Sequence, residues 1–228
     1  MIIDVVIPAY NEEGTIGRVV GDIDRKLVRH VVVCNNASTD ATARVAEEAG
    51  AIVVHETRRG YGAACLKAMA YLEALEAKSD IVAFMDGDYS DHPEQLKELI
   101  EPIIQRGVGM VIGSRARGER EAGSMTPQQR FGNWLATRMI KVMYGVTYTD
   151  LGPFRALTRE ALQKMNMQDQ TYGWTVEMQV KAVKLHIPFE EIPVDYRKRG
   201  AGKSKVAGTF KGTIFAGYKI IRTILKYR

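Results

Sequence analysis

Ile81-Val82-Ala83-Phe84-Met85-Asp86-Gly87-Asp88 is the stretch on which the fold turns. A short, unbroken apolar run of this kind suits a strand buried on both faces. The run stops at two carboxylates one residue apart. The same grammar recurs on both sides. Asp4-Val5-Val6-Ile7-Pro8, Val31-Val32-Val33-Cys34 and Ala51-Ile52-Val53-Val54 are strand-like runs before it, and Gly109-Met110-Val111-Ile112-Gly113 is one after it. Segments of helical character lie between them. They cover Glu12–Leu27, Ala41–Ala49 behind the caps Ser38-Thr39-Asp40, Ala63–Ala77 behind Gly60-Tyr61-Gly62, and a helix opened by His92-Pro93-Glu94. This alternation predicts an α/β fold with a mostly parallel central sheet flanked by helices. Right-handed crossovers then place the polar clusters that follow each strand around one cleft, at the carboxyl ends of the strands.

The second half is less regular. Residues 126–144, 158–165 and 174–186 read as helices, Phe189–Tyr196 as a strand, Arg197–Lys205 as a glycine-rich basic loop, and 207–227 as a C-terminal amphipathic helix. No repeat, low-complexity tract or linker interrupts the 228 residues, which read as a single domain, 1–228. At 46% hydrophobic and 26% charged, the chain has material for a packed core and is not generally disordered. Two cysteines, Cys34 and Cys65, make neither a disulfide framework nor a four-cysteine zinc site, and fit a reducing compartment. No signal peptide and no apolar run of about 18 residues is visible, so a cytoplasmic location is expected.

The net charge of +5 is unevenly spread. Residues 1–195 carry −5 and residues 196–228 carry +10, with no acidic residue after Asp195. A basic tail on an acidic body suits a polyanion: phosphate groups, anionic lipid or nucleic acid. It also describes a tail that is merely solvated. The tail's aromatics come without a nucleic-acid-binding signature, and no nucleic-acid partner is expected.

Asp86-Gly87-Asp88 at a strand end can share a divalent cation, magnesium or manganese, whose other ligands are substrate phosphates. Alone, this D-x-D spacing equally describes an aspartate-rich surface turn. Gly60-Tyr61-Gly62 ahead of a helix suggests a phosphate cradle or a tight turn. It is not G-x-G-x-x-G, because position 65 is Cys, and no Walker A pattern is present.

Together these segments resemble family 2 glycosyltransferases. Val6-Ile7-Pro8-Ala9-Tyr10-Asn11-Glu12-Glu13 is similar to the family's opening nucleotide-binding segment. Asn35-Asn36-Ala37-Ser38-Thr39-Asp40 stands where D-D-G-S-T-D is usual, and Asp86-Gly87-Asp88 stands at the metal motif. His92-Pro93-Glu94, Gly113-Ser114-Arg115, Gly132-Asn133, Thr149–Arg155 and Arg197–Lys205 resemble segments of the dolichyl-phosphate mannose synthase and bacterial polyprenyl-phosphate glycosyltransferase group. The resemblance covers about residues 3–206.

It implies the GT-A fold, with a Rossmann-like nucleotide-sugar-binding half over 1–115, an acceptor half with the basic loop over 116–206, and the amphipathic basic helix over 207–228. It implies a nucleotide-sugar donor, a divalent cation and inversion at the anomeric carbon. Pro8, Ala9, Tyr10 and Glu12 would line the nucleoside with Gly60, Gly62 and Gly87, and Asn35 would face the base. Asp86 would contact ribose or metal, and Asp88 would be the direct metal ligand. Arg115, Arg155, Lys203 and Lys205 are candidates for the growing charge of the leaving diphosphate, with Gly200 and Gly202 letting the loop close. Asp150 and Glu177 are the candidate bases if the acceptor is a hydroxyl, although each more readily suits orienting a neighbouring group; a polyprenyl phosphate, already an anion, needs no base.

Two departures bear on substrate. Asn35 replaces an aspartate that could accept two protons from guanine, which favours UDP over GDP. Ser90 stands where the mannose-synthase branch often has Gln. In the tail, Lys211, Lys219, Arg222 and Lys226 share one helical stripe, and Phe210, Ile214, Ile221 and Leu225 share another. Such a helix suits peripheral contact with an anionic membrane, at its cytoplasmic face, and equally suits packing on the domain or a homo-oligomer contact. The reading against an enzyme is a catalytically silent nucleotide-sugar or lipid-phosphate binding module.

Overall fold

The computed structural model describes residues 1–202 and 210–227, the side chains of 210–216 excepted. Its spine is a seven-stranded sheet: β1 (Ile3–Ala9), β2 (His30–Asn35), β3 (Ile52–His55), β4 (Ile81–Phe84), β5 (Met110–Ser114), β6 (Arg155–Thr158) and β7 (Phe189–Pro193). The spatial order is β3-β2-β1-β4-β6-β5-β7. Every pairing is parallel except those of β6, which runs antiparallel to both β4 and β5. The helices are α1 (Ile16–Gly21), α2 (Thr42–Glu48), α3 (Tyr61–Ala74), α4 (Leu96–Arg106), α5 (Pro127–Tyr144), α6 (Arg159–Met165), α7 (Trp174–Lys184) and α8 (Phe210–Lys226).

Period-two alternation divides the strand side chains between two cores. Val6, Val32, Val82 and Phe84 enter one layer, with α3, α7 and the inner face of α5. Val5, Ile7, Val33, Ile81 and Ala83 enter the other, with α1 and α4. Buried on both faces, these strands read as near-continuous apolar runs.

The apolar strands and most helices fall where the sequence predicts them. The exceptions have local causes. The helix expected over Glu12–Leu27 is regular only over Ile16–Gly21. Before it, Asn11 takes φ +53°, and the Glu12 amide donates to Thr42 Oγ1 at 2.8 Å, tying the chain into a turn. β6 is an addition: Arg155-Ala156-Leu157-Thr158 is too short and too mixed to announce a strand. It inserts between β4 and β5, so strands from both sides of residue 115 belong to one sheet. α5 starts where a capping box fixes it. Thr126 Oγ1 accepts from the Gln129 amide, Gln129 Oε1 accepts from the Thr126 amide, and Pro127 takes the first helical position.

The tail helix packs on the domain mainly through residues outside the apolar stripe read from the sequence. Thr223 and Ile224 are buried, and Ile220 and Tyr227 pack on the same core. Ile221 is only half-buried, and Tyr218 and Leu225 are 58% and 52% exposed beside the exposed Arg222 and Lys226. Phe210, Lys211 and Ile214 lie outside the residues with described side chains. No helix among the described residues is long and apolar enough to cross a membrane.

Candidate active site

Beyond β4 the chain turns sharply through Asp86-Gly87-Asp88-Tyr89-Ser90-Asp91. Tyr89 adopts φ +63°, a conformation aromatic residues rarely take. It is clamped there by the Arg197 guanidinium, 3.6 Å from its ring centroid, and by Arg18 at 4.4 Å. Asp88 Oδ1 accepts from the Ser90 amide at 2.9 Å and from the Ser90 hydroxyl at 2.5 Å. Asp88 Oδ2 lies 3.0 Å from Arg199 Nη2. Thr15 Oγ1 donates to the Gly87 carbonyl at 2.8 Å, fastening the turn to the start of α1.

Asp86 and Asp91 flank Asp88 along the chain. Burial and the charges of Asp88 and Asp91 push the Asp86 carboxyl well above the usual carboxylate range, and burial with the Asp88 charge pushes Asp91 up as well. Asp91 Oδ2 accepts from the Asp86 amide at 3.2 Å. The Oδ1 atoms of both residues are buried with no hydrogen-bond partner, and the Tyr61 hydroxyl stands beside Asp86 without meeting hydrogen-bond geometry. Hard oxygens with crowded negative charge and no donor fit a divalent cation. No set of three or more His, Cys, Asp or Glu among the described residues is grouped to enclose a metal alone. A cation here would therefore take one or two carboxylates and fill its shell with substrate phosphate and water, the habit of magnesium.

This turn lines a cleft of about 400 Å³. Pro8, Ala9, Tyr10 and Glu12 come from the end of β1, and Gly60, Tyr61 and Ala64 from the start of α3. Arg59, Asn36, Arg115, Gln129, Tyr172, Tyr196 and Arg199 complete it. The Arg59 guanidinium stacks 4.3 Å from the Tyr10 ring centroid. Arg115, just past β5, donates to Asp150 through its backbone N–H, Nε and Nη2, each at 2.8 Å. Burial alone would raise the Asp150 carboxyl, but the Arg115 charge and hydrogen bonds win and hold it below the usual range.

Nine residues named from sequence thus meet at one cleft: Pro8, Ala9, Tyr10, Glu12, Gly60, Asp86, Gly87, Asp88 and Arg115. Five do not line it. Asn35 is buried, its Oδ1 accepting from the Ser38 amide at 3.2 Å and its Nδ2 lying 3.3 Å from His55 Nδ1. Its neighbour Asn36 reaches the cleft wall, but its amide staples the 56–60 loop. Nδ2 donates to the Glu56 and Arg58 carbonyls, and Oδ1 accepts from the Gly60 amide. Gly62 serves close approach, since a Cβ there would sit 1.9 Å from the Asp169 carbonyl oxygen.

Asp150, Glu177 and Arg155 lie outside the cleft lining. Asp150 is wholly buried, with both oxygens taken by Arg115. The buried Glu177 carboxylate accepts from the Gln168 and Asp169 amides and the Tyr227 hydroxyl, and it pairs with Lys181 at 2.5 Å. Arg155 is fully buried, donates to the Leu151, Gly152 and Thr175 carbonyls, and is pushed down to about 10 by burial. Each holds backbone together and none touches the cleft. Lys203 and Lys205 lie outside the described residues. Arg59, Tyr61, Gln129, Tyr172, Tyr196 and Arg199 are cleft residues that sequence reasoning missed. Tyr61 between two glycines and Arg199 within the basic loop carried a signal that could have marked them.

A second cavity, of about 630 Å³, shares Arg115 and Gln129 with the first. Its walls are mainly apolar, including Met125, Pro127, Phe131, Leu135, Leu151 and Ile220. Phe131 and Trp134, with ring centroids 5.8 Å apart, are 61% and 59% exposed on α5.

The glycosyl transferase family 2 model matches residues 4–165. An uncharacterized glycosyltransferase of Mycobacterium tuberculosis is 34% identical over 215 residues, 94% of each chain. A dolichyl-phosphate hexose transferase of Haloferax volcanii is 31% identical over 226 residues, 98% of this chain and 94% of that one. Among solved structures, glucosyl-3-phosphoglycerate synthase from Mycobacterium tuberculosis superposes with a TM-score of 0.77 at 23% identity, covering 99% of this chain and 79% of that one, which speaks to the fold. A mostly parallel sheet ending in a D-x-D turn, and a family match across most of the chain, make this protein a GT-A-fold glycosyltransferase of family 2.

Proposed function

We propose that the protein transfers a sugar, with inversion, from a UDP-sugar to a polyprenyl phosphate, at the cytoplasmic face of an anionic membrane and with magnesium or manganese bound at Asp88 and Asp86. The observation that carries this reading is the union of two cavities at Arg115. On one side lies the polar cleft with the D-x-D turn; on the other lies an apolar groove of the kind an isoprenoid chain would fill. An acceptor with an anionic head and an apolar tail matches that division, with Arg115 at the boundary. The resemblance to a dolichyl-phosphate hexose transferase supports the same acceptor class.

The chain's own residues account for the rest. Tyr10 and Arg59 flank the nucleoside. The choice of uracil over guanine rests on Asn35 at the end of β2, an amide where an aspartate would offer guanine two acceptor oxygens. The cation, when bound, neutralises charge developing on the leaving diphosphate. Arg115 and Arg199 add fixed positive charge at the same place. A phosphate acceptor needs no base, in keeping with the engagement of Asp150 and Glu177 in ion pairs. The exposed Tyr218, Leu225, Arg222 and Lys226 of α8, and the aromatic pair on α5, suit an anionic lipid surface.

The deciding experiment supplies UDP- and GDP-sugars with manganese to the protein in detergent, offering either polyprenyl phosphate or water-soluble phosphate esters, with products followed by mass spectrometry. A UDP-dependent glycosyl-phosphoprenol is the expected product. Transfer only to soluble esters would overturn the acceptor assignment, and absence of any transfer would leave the silent binding module as the better reading.

A further inference from the structure

Arg199 occupies the position that the proposed chemistry assigns to another cation. Its Nη1 lies 2.7 Å from both Oε atoms of Glu12, and its Nη2 lies 3.0 Å from Asp88 Oδ2. Since Ser90 holds Asp88 Oδ1, neither oxygen of that carboxylate is open. One guanidinium thus serves two carboxylates, in a cleft where Asp86 and Asp91 add further crowding.

The backbone carrying Arg199 is fastened independently of this side chain. The Arg197 amide donates to the Ser90 carbonyl at 3.0 Å, and the Gly200 amide donates to the Asp88 carbonyl at 2.9 Å. Arg197 Nε and Nη2 reach the Tyr89 and Asp91 carbonyls at 2.8 and 3.1 Å. Gly200 has no room for a side chain, since a Cβ there would lie 2.5 Å from Arg18 Nη2 and 3.0 Å from Thr15 Cγ2. The guanidinium can therefore leave the carboxylates while the backbone under it stays in place.

We propose that Arg199 is a stand-in cation, which neutralises Glu12 and Asp88 in the donor-free protein, yields Asp88 to the divalent cation, and then pairs with the donor diphosphate. The inference rests on the metal reading above. It predicts opposite effects in two titrations. Arg199→Ala removes a positive charge from beside Asp88, so calorimetry should show manganese binding without nucleotide strengthened on the order of tenfold. In saturating manganese, the same variant should bind UDP on the order of tenfold more weakly, because a guanidinium–phosphate pair is lost. Arg199→Lys, which keeps the charge but not the fork, should lie between. A purely structural role would weaken both.

The wild-type chain provides a test that no folding defect can confound. Modification by the arginine reagent phenylglyoxal, read at Arg199 by peptide mass spectrometry, should speed up with manganese alone and slow down with manganese plus UDP. Unchanged manganese affinity in Arg199→Ala, or a modification rate indifferent to manganese, would overturn the stand-in role. Failure of the wild type to bind manganese even with UDP would instead overturn the metal reading beneath it.

Discussion

Replacing Asp150 by Asn separates a positioning role from a base. In the structure, three Arg115 donors converge on the two Asp150 oxygens at 2.8 Å, with the Asp150 side chain 1% and the Arg115 side chain 10% exposed. An amide keeps one acceptor and turns its N–H donors toward a guanidinium. The charge and at least one charge-assisted hydrogen bond vanish, while Arg115 stays buried. Breaking a buried ion pair from one side costs about 3–5 kcal/mol. With a urea slope of about 2 kcal/mol/M, that moves the unfolding midpoint down by roughly 1.5–2.5 M. The variant should also lose transfer, because Arg115 is no longer held at the cleft. Removing both partners, as Arg115→Met with Asp150→Leu, should recover part of the stability and none of the activity. The Asp150 carboxyl is depressed in the folded state, so its contribution is present above its unfolded value of about 3.9 and is lost as pH falls through the folded one. Asp150→Asn should accordingly flatten the acid limb of the stability–pH curve. An Asn variant as stable as wild type but inactive would refute this reasoning and return Asp150 to the role of base.

Asp88→Ala should abolish manganese-dependent binding of UDP in calorimetry, and wild-type turnover unchanged in excess chelator would remove the metal from the mechanism. UDP should bind more tightly than GDP in the same titrations; the reverse order would overturn the uracil reading. Tyr218→Glu with Leu225→Glu, both exposed positions on α8, should reduce salt-sensitive sedimentation with anionic vesicles severalfold without changing Tm. Wild-type protein that ignores such vesicles at low salt would exclude the membrane surface.

The parts of the fold legible in the sequence are those where one local pattern has one structural meaning. Apolar runs such as Val31–Cys34, bounded by turn and cap residues, suit strands covered on both faces, and residues 126–144 read as one helix. β6 was illegible because its strand character is conferred from outside. Wedged between β4 and β5, Arg155–Thr158 gains its ladder partners from segments 40 or more residues away, and Arg155 is tolerated inside only because three backbone carbonyls meet its guanidinium. The face of α8 that packs on the domain is undecided in the sequence for a related reason. Its wheel offers both Ile221/Leu225 and Ile220/Ile224 as apolar stripes, and the choice is made by the core that α5 and α7 present, with the Tyr144 hydroxyl donating to the Ile224 carbonyl at 2.6 Å.

The same distinction runs through the site. A motif marks where a carboxylate stands, and it does not record whether that carboxylate's lone pairs are already spent. Asp150 and Glu177 sit in motif segments just as Asp86 and Asp88 do, yet their oxygens are consumed by Arg115 in one case and by two amides, Lys181 and Tyr227 in the other. A carboxylate held by such fixed, buried partners is a poor ligand for substrate or metal. Among the buried carboxylate oxygens described, those without a donor are Asp86 Oδ1 and Asp91 Oδ1, both in the turn after β4. Asp88, between them, is held by a serine and by an arginine whose backbone is anchored without it. Unspent acceptors gathered around an exchangeable counter-charge are what a site for a cation and a diphosphate requires, and that accounting, rather than the D-x-D spacing alone, supports our proposal that the chemistry lies at this turn.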